Sequence, residues 1–295
     1  MTAATVKGIT IEYEEHGTGE PLLLVMGLGG QLVAWPADWV QRWVDLGFRV
    51  IRFDDRDIGL SSKMPDAPPT LRRTVAAAAS RKLAKSSYTI SDMAADAVGL
   101  LDYLGIDAAH VVGVSMGGMI AQAMAIDQPR RVKSLTSIMS NTGDRRYGRV
   151  KASLLRRLPK ALARTPEEAI DKSVETFRLI SGPHFDEDEV RHIAELSLKR
   201  GFDPAGMARQ AMAILASPDR TPGLRRVQAP TLVIHGLLDP LVMPSGGIAT
   251  ARAVPTSRLL MFPDMGHELP RPRWDEIIDA ILANIRRATP VPTAP

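Results

Sequence analysis

Residues 110–118 read His-Val-Val-Gly-Val-Ser-Met-Gly-Gly, and this stretch decides the fold. It contains a G-x-S-x-G pattern, which places a serine on the turn between a strand and a helix. The β-branched run before Gly113 is typical of a strand, and residues 117–127 have a helical pattern that ends before Pro129. Glycine at positions 113 and 117 removes side chains that would collide across so tight a turn. The stretch therefore predicts a strand, a sharp turn at Ser115 and a helix.

Further strands and helices alternate on both sides of this turn. Five other short apolar runs predict strands, at 21–26, 49–53, 132–139, 231–235 and 258–262. Three further helical patterns lie at 35–46, 90–104 and 274–287. Residues 6–14 alternate apolar and polar side chains, which predicts opening antiparallel strands. This alternation predicts an α/β fold with a mostly parallel central sheet flanked by helices.

Residues 141–223 interrupt the alternation, because their pattern is helical and contains no convincing strand. An insertion between two sheet strands would lie over the carboxyl edge of the sheet as a helical cap. We therefore predict a sheet-containing core of residues 1–140 and 224–288 and a cap of residues 141–223. The proline-rich residues 289–295 predict a disordered tail.

The composition of the 295-residue chain excludes several classes of site. The absence of cysteine excludes disulfides, thiolate chemistry and cysteine-ligated metal sites. No apolar run approaches the ~18 residues of a transmembrane helix, and residues 1–15 lack the order of a signal peptide, so we expect a cytoplasmic protein. The net charge of +4 is mild, and we expect no nucleic-acid partner.

Two residues far along the chain are predicted to complete a Ser-His-Asp triad with Ser115. A serine hydroxyl is a poor nucleophile until a base removes its proton, and a carboxylate must orient that base. His267 follows the last predicted strand and Asp239 the strand before it, and loops after parallel strands converge at one sheet edge. His235 is the alternative base, although we expect it to pack beneath the site. Asp264 is the alternative acid, but its place near His267 favours a turn.

A tetrahedral intermediate also needs fixed N–H donors for its oxyanion. One predicted donor is the backbone N–H of Met116, directly after the serine. The other is the backbone N–H of Leu28, in the Gly-Leu-Gly-Gly loop of residues 27–30, with Gly27 supporting the turn. The loop is no nucleotide site, because neither G-x-G-x-x-G nor a Walker lysine follows.

These motifs resemble the α/β-hydrolase superfamily over nearly the whole chain. The resemblance rests on residues 54–61, 113–118, 231–240 and 266–267. More narrowly, residues 25–29, 35–36 and 52–57 resemble the aclacinomycin methylesterase-like group, which includes bacterial carboxylesterases and lipase-like enzymes. The resemblance implies a catalytic Ser, Asp and His, a two-donor oxyanion hole, a helical cap and no cofactor or metal. Many superfamily members have His-Gly where this chain has Met26-Gly27, and the narrower group shares the methionine.

The predicted function is therefore that of a serine hydrolase that cleaves carboxylic esters through an acyl-enzyme. The same triad would also serve a cofactor-free perhydrolase, a thioesterase or a C–C bond hydrolase. A protein of another class, a ligand receptor on a hydrolase fold, is also compatible with the motifs, since fold does not fix function. The oligomeric state is left open.

Residues 144–164 carry eight basic side chains against one acid, Asp144, with apolar residues at near-helical spacing. A basic amphipathic helix can lie on anionic lipid. We expect a solvated charged face over an ordinary cap, with lipid-like ester substrates or peripheral membrane contact as the alternative.

Overall fold

A computed structural model describes residues 2–157, 165–201 and 203–288. Eight strands form one sheet: β1 (Thr2–Val6), β2 (Ile9–His16), β3 (Glu20–Val25), β4 (Phe48–Phe53), β5 (Ala109–Val114), β6 (Val132–Ile138), β7 (Thr231–Gly236) and β8 (Ser257–Phe262). Their order across the sheet is β1-β2-β4-β3-β5-β6-β7-β8. β2 pairs antiparallel with β1 and β4, and all other neighbours are parallel. The predicted α/β architecture is thereby confirmed.

Eleven α-helices accompany the sheet in the described residues: α1 (Ala37–Asp45), α2 (Leu71–Ala79), α3 (Ile90–Tyr103), α4 (Met116–Asp127), α5 (Ala152–Leu155), α6 (Pro166–Ile180), α7 (Glu187–Arg200), α8 (Pro204–Ala216), α9 (Thr221–Leu224), α10 (Ser245–Ala253) and α11 (Trp274–Arg286). Local chemistry fixes several of their ends. Thr89 and Asp92 form a capping box at the start of α3, and the Asp186 carboxylate accepts from Glu189 N–H at the start of α7. α2 and α10 were not predicted from the sequence.

The apolar strand sequences are explained by a core on each face of the sheet. In β3, Leu22 and Leu24 pack in the cluster that contains the α1 tryptophans, while Leu23 and Val25 pack in the cluster with α3 and α4. Successive side chains of a strand point to opposite faces, so a strand covered on both faces needs an unbroken apolar run. Full burial of each leucine stabilises the fold by ~1.5–3 kcal/mol relative to an exposed position.

The carboxyl edge of the parallel strands gathers the loops that carry the predicted site. The loops after β3, β5, β7 and β8 hold Leu28, Ser115, Asp239 and His267 respectively. Between β6 and β7 the described residues contain α5 to α9 and no strand. The division into core and cap stays a prediction.

The basic segment of residues 144–164 is described only as far as residue 157, so Lys160 and Arg164 lie outside the described residues, as does the predicted disordered tail, 289–295. Its described part contains one short α-helix, the four-residue α5, and Gly148 before it adopts a left-handed φ of 63°. The Arg145 guanidinium donates to Ala77 O at 2.7 Å and Ala78 O at 2.9 Å, and Arg146 pairs with Asp144. Among the helices of the described ranges, none combines the length and apolarity needed to cross a membrane.

Candidate active site

Ser115 lies on a strained turn between β5 and α4. Its φ of 55° and ψ of −117° are unfavourable for any residue with a Cβ, and such conformations typically cost ~1–3 kcal/mol. A Cβ on Gly113 would lie 2.1 Å from Gly117 O, and one on Gly117 would lie 2.1 Å from Val25 O. The Ser115 N–H donates to Ile138 O at 2.8 Å. The two glycines and this bond hold the turn that presents the hydroxyl at the sheet edge.

His267 reaches this hydroxyl from the loop after β8. Its Nε2 lies 3.0 Å from Ser115 Oγ, although 152 residues separate the two along the chain. The backbone of the loop is itself held, since His267 N–H donates to Ile180 O at the end of α6 at 2.8 Å. The imidazole is therefore within proton-transfer distance of the serine hydroxyl.

Asp239 lies behind the imidazole ring. Its Oδ2 is 2.7 Å from His267 Nδ1, and its Oδ1 accepts from Leu241 N–H at 2.9 Å and Val242 N–H at 2.8 Å. Burial acts to raise the pKa of the Asp239 carboxyl, but the charge on His267 and hydrogen bonds from His235, His267 and Val242 N–H lower that pKa to about 2. The carboxylate is ionised at neutral pH and suited to hold His267 in the tautomer with a proton on Nδ1.

The alternative base, His235, lies beneath the acid and not beside the serine. Its Nε2 is 2.7 Å from Val242 O and 3.3 Å from Asp239 Oδ2, and its side chain is fully buried. Because a carbonyl oxygen only accepts, Nε2 carries the proton. His235 therefore supports the Asp239 loop, as its sequence position suggested.

Other titratable groups that compete for these roles have partners elsewhere. Asp264 pairs with Arg273 and His184, each at 2.8 Å. His110 Nδ1 lies 2.8 Å from Ser134 Oγ, and His16 contacts Glu14 at 3.3 Å. None of these histidines bonds to Ser115 in the described residues.

The predicted oxyanion loop adjoins the nucleophile. A Cβ on Gly27 would lie 3.3 Å from Ser115 Cβ, a tighter contact than most Cβ atoms make, so glycine favours this close approach of the loop. The Gly30 N–H donates to Gly27 O at 3.0 Å and closes the turn. Among the described residues, neither Leu28 N–H nor Met116 N–H donates a hydrogen bond to a protein group. Both stay predicted donors to an oxyanion.

A buried glutamine that sequence reasoning missed ties this loop to α8. Gln210 is fully buried; its Oε1 accepts from Gly29 N–H at 3.0 Å, and its Nε2 donates to Arg56 O at 2.9 Å. On the same helix, Met207 lies against Gly29. Gln210 thus holds the backbone at Gly29, and the residue directly before Gly29 is Leu28, whose N–H is a predicted oxyanion donor. The one available signal was an Arg-Gln pair inside an otherwise apolar helix.

Replacing Gln210 tests this positioning role. We expect Gln210→Met to lower kcat for an ester by about 10–100-fold with a smaller change in KM, because a displaced oxyanion donor acts mainly in the transition state. Gln210→Glu keeps the acceptor for Gly29 N–H and should recover part of kcat. Steady-state kinetics and thermal unfolding of both variants decide the matter; equal kcat in the native protein and Gln210→Met would rule the role out.

Two ion pairs join α7 and α8 to the loop after β4. Arg200 Nη2 lies 2.6 Å from Asp54 Oδ2, and Arg209 Nη2 lies 2.7 Å from Asp57 Oδ1. Both carboxylates are fully buried. Asp54 also accepts from Leu32 N–H at 2.7 Å, which links the ion pair to the segment after the oxyanion loop. The Arg-Phe-Asp-Asp-Arg-Asp run of residues 52–57 thus joins helices of the 141–223 segment to the sheet.

Asp55, in the same run, is buried without a hydrogen-bond partner for either side-chain oxygen in the described part of the chain. Burial, together with the nearby carboxylates of Asp96 and Asp54, raises the pKa of Asp55 well above its ordinary value. The unfolded chain releases this proton near the usual value of about 4, whereas the folded chain keeps it to higher pH. The stabilising contribution of this carboxyl group is fully present below the unfolded pKa of about 4 and is lost as the pH rises through the folded pKa.

Asp55→Asn removes this titration. We therefore expect the free energy of unfolding of Asp55→Asn, relative to the native protein, to increase as the pH rises from 5 to 8. Urea unfolding at a series of pH values measures it. A difference between the two proteins that is constant with pH would contradict a buried, protonated Asp55.

The described residues contain no group of three or more His, Cys, Asp or Glu side chains arranged to hold a metal ion. The arrangement of Ser115, His267 and Asp239 offers nucleophilic attack by a hydroxyl, assisted by an imidazole and a carboxylate.

Comparisons with known proteins identify the family of this chain and several of its relatives. A family model described as the alpha/beta hydrolase fold matches residues 20–270. Rhodomycin D methylesterase of Streptomyces peucetius is 31% identical over 292 residues, which cover 91% of this chain and 92% of the relative. The 2-hydroxymuconate semialdehyde hydrolase of Pseudomonas sp. strain CF600 is 29% identical over 272 residues, with 88% and 84% covered. A thermophilic esterase from Thermogutta terrifontis has a similar structure, with a TM-score of 0.71, 25% identity and 97% and 98% of the two chains covered.

Proposed function

The chain belongs to the α/β-hydrolase family, and on that premise we propose that it is a carboxylesterase with Ser115 as nucleophile, His267 as base and Asp239 as the orienting acid. The resemblance to this superfamily found in the sequence is confirmed. The observation that carries the proposal is the continuous chain of contacts from Ser115 Oγ through both nitrogens of His267 to Asp239 Oδ2. Such a chain converts a weak hydroxyl into a nucleophile.

The proposed reaction has two acyl-transfer steps. Ser115 Oγ attacks the ester carbonyl carbon while His267 Nε2 takes the hydroxyl proton, and the carbonyl oxygen becomes an oxyanion held by the N–H groups of Leu28 and Met116. Collapse of this intermediate breaks the C–O bond, and the alcohol leaves with the proton from His267. A water molecule then attacks the acyl-enzyme with His267 again as base, which releases the acid and restores Ser115.

Asp239 acts throughout as a fixed anion. Each step places a positive charge on His267, and a carboxylate 2.7 Å from Nδ1 stabilises that charge. The low pKa of Asp239, about 2, means that its charge persists across the whole range in which esterases are usually assayed.

Carboxylic esters are the proposed substrate class for two reasons. The relatives named as a methylesterase and an esterase both cleave esters by their names, and both match this chain over nearly its full length. The partly exposed side chains of Leu28 and Met207 lie at or beside the oxyanion loop and favour an apolar acyl or alcohol group.

Hydrolysis of a carbon–carbon bond is the second candidate function. It is favoured by the match to 2-hydroxymuconate semialdehyde hydrolase, which covers 88% of this chain. Product analysis with a vinylogous 1,5-diketone acid distinguishes the two, because only C–C hydrolysis divides its carbon skeleton.

A chain-length series of p-nitrophenyl esters, from acetate to palmitate, tests the proposal. A carboxylesterase should release many equivalents of p-nitrophenol per chain for at least one ester. Release of one equivalent or less for every ester would contradict the proposal and favour a ligand receptor on a hydrolase fold.

A further inference from the structure

Helix α2 and the turn after it form an unusual surface on the molecule. Leu71 is 74% exposed, Val75 61% and Leu83 58%, and Leu71 is the most exposed large apolar side chain of the described residues. Only Ala77 of α2 is buried. Leu71 and Val75 are four residues apart and therefore lie on one helix face, turned to solvent. Exposed apolar residues grouped in this way mark contact surfaces more often than isolated ones do.

The chain segment that carries this surface is basic, and Asp66, directly before it, lines a cavity together with Arg73 and Lys85. Residues 67–91 contain five basic side chains, namely Arg72, Arg73, Arg81, Lys82 and Lys85, and no acidic one. None of the five forms an ion pair with a carboxylate of the described residues; Arg81 donates to Gly143 O at 2.7 Å, and Arg73 reaches only Lys85 O, at 3.5 Å. Arg145 adds a sixth positive charge at the carboxyl end of α2. The surface is therefore apolar and cationic at once.

We propose that residues 67–87, here called the α2 surface, bind the headgroup region of membranes that contain anionic lipid. Leucine and valine side chains would enter the boundary between headgroups and acyl chains, while the basic side chains would contact lipid phosphates. This is not the segment singled out in the sequence, residues 144–164, although Arg145 of that segment contacts the carboxyl end of α2 and Arg146 pairs with Asp144.

The side chains favour lipid over nucleic acid. The one aromatic residue in the sequence of residues 67–91, Tyr88, is buried and donates to Asp57 Oδ2 at 2.6 Å, so it offers no ring for stacking on bases. Exposed aliphatic side chains contribute little to phosphate-backbone recognition but contribute directly to insertion between lipids.

The position of the α2 surface gives membrane contact a consequence for the predicted site. α2 packs against α8, which carries Met207 and Gln210 against Gly29 of the oxyanion loop. One helix, α8, thus separates the α2 surface from the oxyanion loop. When the α2 surface binds a membrane, the predicted site would lie near esters that partition into that membrane. Binding itself does not depend on the proposed esterase function.

Co-sedimentation with vesicles tests the inference. We expect the native protein to sediment with phosphatidylglycerol–phosphatidylcholine vesicles at low salt and to remain in solution with phosphatidylcholine alone. The triple variants Leu71→Ser/Val75→Ser/Leu83→Ser and Arg72→Glu/Lys82→Glu/Lys85→Glu should each lower the partition coefficient by at least about tenfold.

A matched control separates this surface from net charge. Arg130→Glu/Arg225→Glu/Arg226→Glu makes the same change of charge at exposed positions away from α2 and should bind as the native protein does. Hydrolysis of the soluble p-nitrophenyl acetate should be unchanged in all three variants, so a failure of the esterase proposal appears in that assay alone.

Three results would overturn the inference. They are no binding of the native protein to phosphatidylglycerol vesicles, an equal loss of binding in the control, and a native dimer that the Leu71/Val75/Leu83 variant converts to a monomer. The last would assign the surface to a second copy of the chain.

Discussion

Ser115→Ala is expected to lower kcat for p-nitrophenyl esters by a factor on the order of 10⁶ while the protein remains folded. The hydroxyl is the group that forms the acyl-enzyme in the proposed mechanism, and methyl cannot replace it. The turn should persist, because the bond from residue 115 N–H to Ile138 O and the glycines at 113 and 117 do not involve the side chain. Residual hydrolysis would come from the predicted oxyanion donors and from binding alone.

Ser140→Ala is the matched control for this prediction. Ser140 is a buried serine near the same helix start, where a Cβ on Gly118 would lie 2.7 Å from its Cβ, and its Oγ has no partner in the described residues. We expect its kcat to stay within tenfold of the native value. Burst and steady-state kinetics measure turnover in both variants, and circular dichroism checks that they are folded. Native turnover in Ser115→Ala would contradict the assignment of Ser115 as nucleophile.

His267→Ala should cost nearly as much as Ser115→Ala, again on the order of 10⁶ in kcat. Without an imidazole 3.0 Å from Oγ, the serine has no base and the leaving alcohol has no acid. Since the members of a triad act as a unit, the double variant should be no slower than either single one. Steady-state kinetics of Ser115→Ala, His267→Ala and the double variant measures this double-mutant cycle.

His184→Ala is the corresponding control, because His184 pairs with Asp264 and does not touch Ser115. It should retain activity within tenfold. Losses in the single variants that multiply in the double variant would mean that Ser115 and His267 act in separate places, and the proposed mechanism would then fail.

The sheet and the loops that carry the predicted triad were accessible from sequence because each has a local signature. Strands covered on both faces show as apolar runs, and the turn at Ser115 requires glycine at 113 and 117 whatever lies around it. Chain order then brought His267 and Asp239 to the same sheet edge, since parallel strands place their following loops together.

Contacts between distant polar side chains left no such signature. The pairs Arg200–Asp54 and Arg209–Asp57 join residues 146 and 152 positions apart. The link from Gln210 to Gly29 spans 181 positions. Each partner alone reads as an ordinary charged or polar residue, and only the folded chain brings them together. The sequence of residues 54–57 therefore indicated a resemblance to a family, whereas their contacts with α7 and α8 are visible only in the structure.

Helix α2 was missed for a different reason. Its apolar residues face solvent and only Ala77 is buried, so the pattern that marks a helix packed on a core is absent. The same departure from the usual pattern is what makes the α2 surface a candidate for membrane contact.

Covalent labelling tests the central claim, that Ser115 is a nucleophile activated by His267, most directly. The native protein is treated with a fluorophosphonate, and intact mass and peptide mapping locate the adduct. We predict one adduct per chain, on Ser115, formed at a rate that His267→Ala lowers by several orders of magnitude. An adduct on another residue, or an active protein in which Ser115 stays unmodified, would contradict the account.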